Sequence, residues 1–423
     1  MPFAVRATLV AFAMIAGSTG ITFAQDKAPG GNVETLLEYA KNNNPEYATM
    51  RLEADAANER IAPAGALPDP TFRASLMDIT RMGEQNPTLS PSRTGGTAYR
   101  VMQDVPWFGK RDLKREIAEL EAKSAQGRAQ GTWADMSSRI KSSYAQLYYI
   151  HRNQQLSREI LDLMLQLEKV TRARYSGGLA AQQDVIRAQV EQTSLKSELV
   201  MLENERSQAE SRLNALLARP AHAPLAQPAQ LRPLPAPARL EYAALKEMVL
   251  ARNPQLVVED SRLRAAEKSR DLAYKNRYPD FSFGVTPTQY GGYIREWELM
   301  VQFNIPLQQS TRRAQERESE AMLSAARTRK EAAANNVLSD LAGNLAALEA
   351  ARRVENLTAN SLLPQSDLTF KAALAGYENG KVDFATLMDA QRQIRMARQN
   401  QIKAQAEAQA RLAEIERLVG EDL

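Results

Sequence analysis

The sequence predicts a mainly α-helical fold with four β-strands and an internal duplication. Long segments rich in Ala, Gln, Glu, Arg and Leu run without strong breakers, and only 6% of residues are aromatic, which is typical of extended helices and coiled coils. Four short stretches between these segments alternate apolar with polar residues, as half-buried strands do. A turn motif also occurs twice. Together these observations indicate one body made of two similar halves.

The repeated turn joins two helical stretches in each half. The first copy is Arg174-Tyr175-Ser176-Gly177-Gly178-Leu179. The second copy lies 202 residues later and is Gly376-Tyr377-Glu378-Asn379-Gly380-Lys381. A glycine at the same place in both copies, Gly178 and Gly380, indicates a positive φ that ends one helix and lets the next begin. We therefore predict two antiparallel helical hairpins, which turn at residues 176–179 and 378–381.

Composition excludes several classes of function. The 423-residue chain has a net charge of +4, its charges are interspersed along helix faces, and no basic patch alternates with aromatic residues, so we expect no nucleic-acid partner. Without Cys it has no disulfides, no thiol chemistry and no lipid on an N-terminal Cys. The two histidines, His151 and His222, lack the neighbours of a triad or zinc site. We predict no enzyme, no cofactor and no bound metal.

Residues 1–24 read as a secretory signal peptide. One charge, Arg6, precedes a short apolar run, and small residues end the segment at Ala24. The alternative is a buried helix of the mature fold, but the run is too short to span a bilayer and lies at the extreme N-terminus. No later stretch approaches the roughly twenty apolar residues that a membrane helix needs. The protein is therefore predicted to be exported, and any membrane contact must be made by strands.

The first repeat covers residues 25–218. Its first helix is interrupted at Asn44-Pro45, and two alternating stretches then predict strands at 71–80 and 97–105. A long helix follows, in which a heptad seam predicts a coiled coil that continues after the turn. The seam residues before the turn are Leu156, Ile160, Leu163, Leu167 and Val170.

A Pro- and Ala-rich segment, residues 219–239, is interpreted as the linker to the second repeat, residues 240–423. The second repeat has the same order, with Asn253-Pro254 matching Asn44-Pro45 and strands predicted at 280–289 and 294–305. The last strand has one wholly apolar face, formed by Trp297, Leu299, Val301, Phe303 and Ile305. An Ala-lined seam follows the second turn in the final helix.

The four strands cannot form a complete membrane structure alone. A four-stranded sheet in a bilayer would leave unpaired backbone groups at its edges, so closure requires strands from other subunits. The alternative is a small soluble sheet that caps the helical body. Export, the paired strands and the apolar face of residues 297–305 favour an oligomeric barrel with a shared pore.

This arrangement resembles the outer-membrane efflux protein family, the TolC-like exit ducts of Gram-negative bacteria. The resemblance rests on the duplicated helix-strand-strand-helix order and on the two turns, the first leading to Asp184-Val185 and the second to Leu387-Met388-Asp389-Ala390-Gln391. It implies a homotrimer in which four strands per subunit build one twelve-stranded barrel in outer-membrane lipid, above a helical tunnel in the periplasm. It also implies two partners, a periplasmic adaptor (membrane fusion) protein and an inner-membrane pump of the resistance-nodulation-division type.

The resemblance further implies a gate at the hairpin turns, which form the periplasmic mouth. Asp389 matches an aspartate ring that narrows this aperture, and Tyr377, Gln183 and Asp184 match positions that help to close it. Three crowded carboxylates would favour cations over anions. The alternative for Asp389 is an exposed carboxylate that suits the N-terminal dipole of its helix.

The second turn departs from the family's pattern at Val382 and Asp383, so Arg174 or Lys381 is expected to supply the basic closing contact. The adaptor is predicted to dock at the hairpin turns, on Arg174, Tyr175, Gly177, Gly178, Asn379, Gly380 and Lys381.

The junction after the second strand carries a separate signal. The residues Pro106, Trp107, Phe108, Gly109 and Lys110 resemble the strand-to-helix junction of the heavy-metal branch of the family. Physically, Pro106 ends strand pairing and the aromatic rings suit a membrane interface. The predicted function is a passive exit duct for heavy-metal cations or small organic toxins, and the residues leave this choice open. The alternatives are a periplasmic coiled-coil scaffold without a pore and an exit duct for type I secretion.

Overall fold

Ten α-helices and four β-strands form residues 29–423, which are the residues that the computed structural model describes. The predicted signal peptide lies outside them. The first half contains α1 (Val33–Asn43), α2 (Pro45–Glu59), α3 (Ile61–Gly65), β1 (Thr71–Met77), β2 (Gly96–Val105), α4 (Lys110–Ser176) and α5 (Gln182–Leu216). The second contains α6 (Tyr242–Arg252), α7 (Pro254–Lys275), β3 (Phe281–Tyr290), β4 (Tyr293–Phe303), α8 (Gln309–Leu357), α9 (Leu363–Glu378) and α10 (Phe384–Val419). A π-helical turn, Thr358–Leu362, lies between α8 and α9.

The strands form one antiparallel sheet in the order β1-β2-β3-β4, so β1 and β4 are its edges. Strand β1 ends at Met77 rather than at residue 80, because Asp78 adopts φ 46° and accepts a hydrogen bond from the Met82 N–H (2.9 Å) in a turn. Strand β4 ends at Phe303, two residues earlier than predicted. The predicted pairing of strands into two hairpins of different halves is otherwise reproduced, and the halves join through β2 and β3.

The two faces of β4 differ as the sequence predicted. Trp297, Leu299, Val301 and Phe303 are 55–82% exposed on one face, while Glu298, Met300 and Gln302 alternate with them on the other. The cross-strand partners of Leu299 and Val301 are the apolar Val285 and Phe283. Within residues 29–423 this apolar face is therefore largely open to solvent.

Long helices carry the rest of the chain. Helix α4 has 67 residues, which corresponds to about 100 Å, and packs against α5, α7 and α10. The predicted seam holds at Leu156, Ile160 and Leu167, which are buried. Leu163 is only half-buried and Val170 is exposed, whereas the residue that follows each of them, Met164 and Thr171, is fully buried. A helix of 3.6 residues per turn drifts against a 3.5-residue repeat, and this drift moves the seam by one residue near the turn. None of the helices among residues 29–423 is long and apolar enough to cross a membrane.

The segment 219–239 packs against both halves. Leu225 and Leu231 contact the apolar core of the first half, Leu234 contacts that of the second, and the carbonyl of Gln230 accepts a hydrogen bond from the Tyr144 hydroxyl (2.9 Å). The predicted linker is therefore a structural strap.

The same asparagine contact closes both halves. Asn44 caps α2 through its Oδ1 and donates from Nδ2 to the Leu216 carbonyl at the end of α5 (2.8 Å). Asn253 caps α7 and donates in the same way to the Leu418 carbonyl near the end of α10 (2.8 Å). Each asparagine thus satisfies backbone groups at two helix ends, which would otherwise be unpaired.

Candidate functional site

The two hairpin turns share one backbone geometry. Gly178 and Gly380 both have positive φ, 73° and 69°, as the repeated sequence predicted. The hydrogen bonds correspond: Leu179 N–H donates to the Arg174 carbonyl and Lys381 N–H donates to the Gly376 carbonyl, each at 2.8 Å. The first hairpin, α4–α5, and the second hairpin, α9–α10, therefore end in equivalent loops.

Arg174 joins the two turns. Its Nη1 donates to the Glu378 carbonyl (2.7 Å), and its guanidinium lies 5.0 Å from the centre of the Tyr377 ring. Tyr377 is buried, packs on Phe384, and its hydroxyl hydrogen-bonds to Thr171 in the first hairpin (3.1 Å). The structure thus brings together two predicted residues, Arg174 and Tyr377, and adds Thr171, which sequence reasoning missed.

The other predicted gate residues do not join this contact. Gln183 is exposed and Asp184 half-buried, and neither side chain hydrogen-bonds to Tyr377 within residues 29–423. Lys381 is exposed at the tip, where only its backbone N–H takes part in the turn. Of the two basic residues proposed for a closing contact, Arg174 is the one that reaches the opposite turn. Tyr175 is half-exposed, and Asn379 bonds the Ala375 carbonyl through Nδ2 (2.8 Å).

Asp389 lies on the second turn of α10, with its side chain 70% exposed. Arg392 is 4.0 Å away, but it approaches the buried Glu191 of α5 more closely, at 3.3 Å. Glu191 also binds Arg395 at 3.3 Å through its other oxygen. Glu191 therefore holds Arg392, the cation nearest to Asp389, and the Asp389 carboxylate faces solvent.

A groove of about 750 Å³ runs between α5 and α10 beside the turns. Asp389, Gln183 and Arg187 are polar residues of its walls, and the exposed side chains of Ile186 and Val190 make its apolar part. This groove brings Gln183 and Asp389 together, although no hydrogen bond joins them in the described chain.

The strand-to-helix junction is tightly bonded. Gly109 has φ 76° and starts α4, and Trp107 stacks on Tyr278 with ring centres 5.0 Å apart. The buried Lys110 ammonium donates to the Asp280 carboxylate (2.8 Å), and the Trp107 N–H donates to the same oxygen (2.7 Å). Burial opposes ionisation of Asp280, but these hydrogen bonds outweigh it and hold the pKa of the Asp280 carboxyl below its ordinary value.

Pro106 follows the last residue of β2, and Phe108 projects an exposed ring beside Trp107. The same segment therefore presents one half-buried and one exposed aromatic ring at the end of the sheet. The sequence predicted the aromatic pair, but it contained no signal for the pairing of Lys110 with Asp280, which is 170 residues away.

Sequence reasoning also missed a cluster of buried charged side chains that lies far from the turns. Glu416 of α10 is 2% exposed and binds Lys141 of α4 (2.7 Å) and Arg232 of the strap (2.9 Å). Asp422 adds a second carboxylate to Lys141. The cluster joins both halves and the strap at one point, and its residues are too far apart in sequence for any spacing rule to link them. No group of three or more metal-binding side chains of the His, Cys, Asp or Glu type occurs in the described part of the chain.

Comparisons with known proteins agree with this architecture. The family model "Outer membrane efflux protein" matches residues 36–219 and 245–421. The cobalt-zinc-cadmium resistance protein CzcC of Cupriavidus metallidurans is 23% identical over 97% of this chain and 96% of its own length.

Two solved structures have the same fold. A CusC structure superposes with a TM-score of 0.78 at 17% identity, covering 95% of this chain and 96% of CusC. The outer membrane protein VceC of Vibrio cholerae gives 0.77 at 17% identity, covering 92% and 96%. The predicted mainly helical fold with its membrane strands and internal duplication is confirmed. The family model covers both halves. The chain therefore belongs to the outer membrane efflux protein family, and it is a channel protein of the outer membrane that extends into the periplasm, not an enzyme.

Proposed function

We propose that three copies of this chain form a passive exit duct, which accepts substrate in the periplasm and releases it outside the cell. Each copy would give its four strands to one barrel and its two hairpins to a helical tunnel. The protein supplies the path and a gate, and the energy comes from an inner-membrane pump of the resistance-nodulation-division type.

The sheet is the observation that carries this proposal. Its edges β1 and β4 have no partner strand within residues 29–423, and the face bearing Leu299 and Val301 is apolar and exposed. In the hydrocarbon of a bilayer, the backbone groups at both edges are hydrogen-bonded if β4 of one copy pairs with β1 of the next. The apolar face then contacts lipid. A soluble cap would instead place this face on the helices.

The hairpin turns lie at the far end of α4 from the sheet and are the proposed periplasmic gate. Asp389 is exposed there, and its nearest cation, Arg392, is held by Glu191. Three copies of Asp389 around one axis would repel one another and attract cations into the aperture. Arg174 and Tyr377 connect the two turns of one subunit. Gln183 and Asp184 make no side-chain hydrogen bond within residues 29–423 and are the proposed contacts between subunits.

An adaptor protein from the periplasm is the proposed partner at this end. The groove between α5 and α10 combines exposed apolar side chains, Ile186 and Val190, with polar rims at Gln183 and Arg187. This surface suits an amphipathic helical hairpin, which would lay its apolar side chains in the groove. The turn residues named from the sequence would form the lower border of the same docking site.

Heavy-metal cations are the favoured cargo, with small organic toxins as the second candidate. CzcC, which matches nearly the full chain, is named as a cobalt-zinc-cadmium resistance protein. An aperture lined by carboxylates also favours the passage of cations. A deletion strain tested against metals and organic toxins decides between them. If the deletion strain is hypersensitive to organic compounds alone, small organic toxins are the cargo. If it instead fails to secrete a protein, the chain is an exit duct for type I secretion.

The duct itself is tested by fractionation and by conductance. We expect heat-sensitive trimers in the outer-membrane fraction and ion channels when the purified protein is added to planar bilayers. Recovery only as a soluble periplasmic protein, without trimers or channels, would contradict the duct and favour the scaffold.

Asp389→Ala tests the gate. Removing the three carboxylates should raise single-channel conductance and lower the preference for cations, because both repulsion at the aperture and attraction of cations are lost. The matched control is Glu203→Ala, which removes an exposed carboxylate on α5 away from the turns. Unchanged conductance and selectivity in Asp389→Ala would remove this residue from the gate.

A further inference from the structure

The end of the sheet that adjoins the helices carries an excess of positive charge. Four segments join strands to helices there, residues 60–70, 106–116, 274–280 and 304–317, and they contain ten Lys or Arg but only five Asp or Glu. Their net charge of +5 exceeds the +4 of the whole chain. The basic excess of this protein is therefore concentrated at one level of the molecule, and the rest of the chain is close to neutral.

Two of these cations have no carboxylate partner within residues 29–423. Lys275 donates from Nζ to the Phe108 carbonyl (3.3 Å) and lies over Gly109, where any side chain would displace it. Arg312 of α8 donates from Nη1 to the carbonyl of Asn276, and its buried Nε has no hydrogen-bond partner. Both side chains are half-buried and keep donors for an anion.

Other cations at this level are already neutralised. The buried Lys110 pairs with Asp280 (2.8 Å), and Arg277 pairs with the buried Glu316 of α8. These pairs fix the ends of α4, α7 and α8 against one another. Lys275 and Arg312 are held at the same meeting point, so their charges do not depend on mobile surface side chains.

A column of aromatic rings indicates which side of the sheet lies next to these cations. Phe283 and Phe281 stack on each other along β3, Trp107 stacks on Phe281 with ring centres 5.6 Å apart, and Tyr278 stacks on Trp107. Phe283 faces Val301 on the apolar face, so the column continues that face past the end of the sheet. It ends three residues from Lys275. Aromatic rings at such a border are typical of the level of lipid headgroups.

We propose that Lys275 and Arg312 bind the phosphate of an anionic phospholipid, in the leaflet of the outer membrane that faces the periplasm. A guanidinium matches phosphate oxygens in pairs, and the phosphate would supply the acceptor that the Arg312 Nε lacks. The exposed side chains of Phe108 and Leu307 would contact the acyl chains. A zwitterionic lipid brings a cation of its own, which the surrounding positive charge disfavours. The inference rests on the proposed function only in placing the sheet in a bilayer.

Native mass spectrometry of the purified full chain in detergent tests this site without a channel assay. The protein is incubated with equal concentrations of phosphatidylglycerol and phosphatidylcholine, and the number of each lipid retained per chain is counted. We expect the wild-type protein to retain phosphatidylglycerol preferentially. Its affinity for this lipid should fall about fivefold in Lys275→Gln and again in Arg312→Gln, since each cation near a membrane surface contributes about this factor. Equal retention of the two lipids by the wild-type protein overturns the proposal.

Arg329→Gln is the matched control. It removes an exposed cation from the same helix, about 25 Å along α8 from Arg312, and should leave lipid retention unchanged. The double variant Lys275→Arg and Arg312→Lys keeps both charges and should keep the preference, which distinguishes lost binding from misfolding. A wild-type preference in the Gln variants, or an equal loss in Arg329→Gln, contradicts the site. Displacement of phosphatidylglycerol by excess inorganic phosphate would show that the two cations bind a free anion and not a lipid.

The same measurements separate this inference from the duct. Ion channels formed by a wild-type protein that has no preference for phosphatidylglycerol would leave the duct standing and remove the lipid site. A preference that depends on Lys275 and Arg312 in a protein that forms no channels would support the lipid site and contradict the duct.

Discussion

Glu191 offers a test that links packing between the hairpins to ion selectivity. Its carboxylate lies on α5, is buried, and holds Arg392 and Arg395 of α10 at 3.3 Å each, one on each oxygen. Arg392 is also the cation closest to Asp389, at 4.0 Å. In Glu191→Gln, the side chain keeps its size but loses its charge, so Arg392 is free to pair with Asp389.

The expected loss of stability follows from the exposure of the two arginines. Arg392 is about half exposed, so solvent screens its contact to a value of about 0.5 kcal/mol. Arg395 is 20% exposed, and its charged hydrogen bond contributes about 1.5 kcal/mol. Gln can retain one acceptor, and Glu198 still lies 3.7 Å from Arg395. We therefore expect the free energy of unfolding to fall by about 1 to 2 kcal/mol.

The assay is the reversal potential across a planar bilayer under a salt gradient, combined with denaturant unfolding of the same preparation. Glu191→Gln should lose much of the cation preference that Asp389→Ala loses, because Arg392 now neutralises the aperture carboxylate. The control is Glu198→Gln, which weakens the contact to Arg395 and Gln399 but does not touch Arg392. If Glu191→Gln unfolds more easily yet keeps wild-type selectivity while Asp389→Ala does not, the link through Arg392 is wrong.

Two further predictions concern the ends of the helical body. Asn253→Ala should lower the free energy of unfolding by about 2 to 3 kcal/mol, since it removes the cap of α7 and leaves the Leu418 carbonyl buried without a donor; Asn44→Ala, measured by the same denaturant titration, should cost a similar amount. The lowered pKa of Asp280 means that this group stabilises the fold above its ordinary pKa near 3.8 and loses that contribution as pH falls further. In Lys110→Met, the acid-induced transition followed by circular dichroism should therefore move to higher pH, and an unmoved transition would show that this pair does not control acid stability.

The sequence was sufficient for the architecture because the strongest signals are periodic or local. Alternation in β4 predicted its two faces, and a glycine at equal spacing predicted the positive φ of Gly178 and Gly380. Boundaries were less accurate where a single side chain decides them, as at Asp78, whose turn ends β1. The heptad seam shifted near the turn because the real helical period is not 3.5.

The contacts of the candidate site were mostly beyond sequence reasoning. Arg174 was named as one of two basic candidates, and only the geometry reveals that it lies over Tyr377 and bonds the opposite turn. Nothing in the sequence indicated that Glu191 forms ion pairs. Its partners on α10 are about 200 residues away, and in sequence a buried, paired glutamate on a helix cannot be told from a solvated one. The roles of Asp389, Gln183 and Asp184 in gating stay predictions.

The duplication gives two equivalent turns whose flanking helices are stabilised differently. The two turns share the bonds that place Gly178 and Gly380, and the second adds a bond from the Val382 N–H to the Gly376 carbonyl (3.2 Å). Where the first hairpin has Glu168 and Arg172, which form an ion pair, the second has Phe370 and Leu374, which pack on the shared apolar cluster. An exposed ion pair on one helix contributes little, whereas buried apolar area contributes in proportion to its size, so the second hairpin gains more from packing against the first than from polar contacts at these two positions.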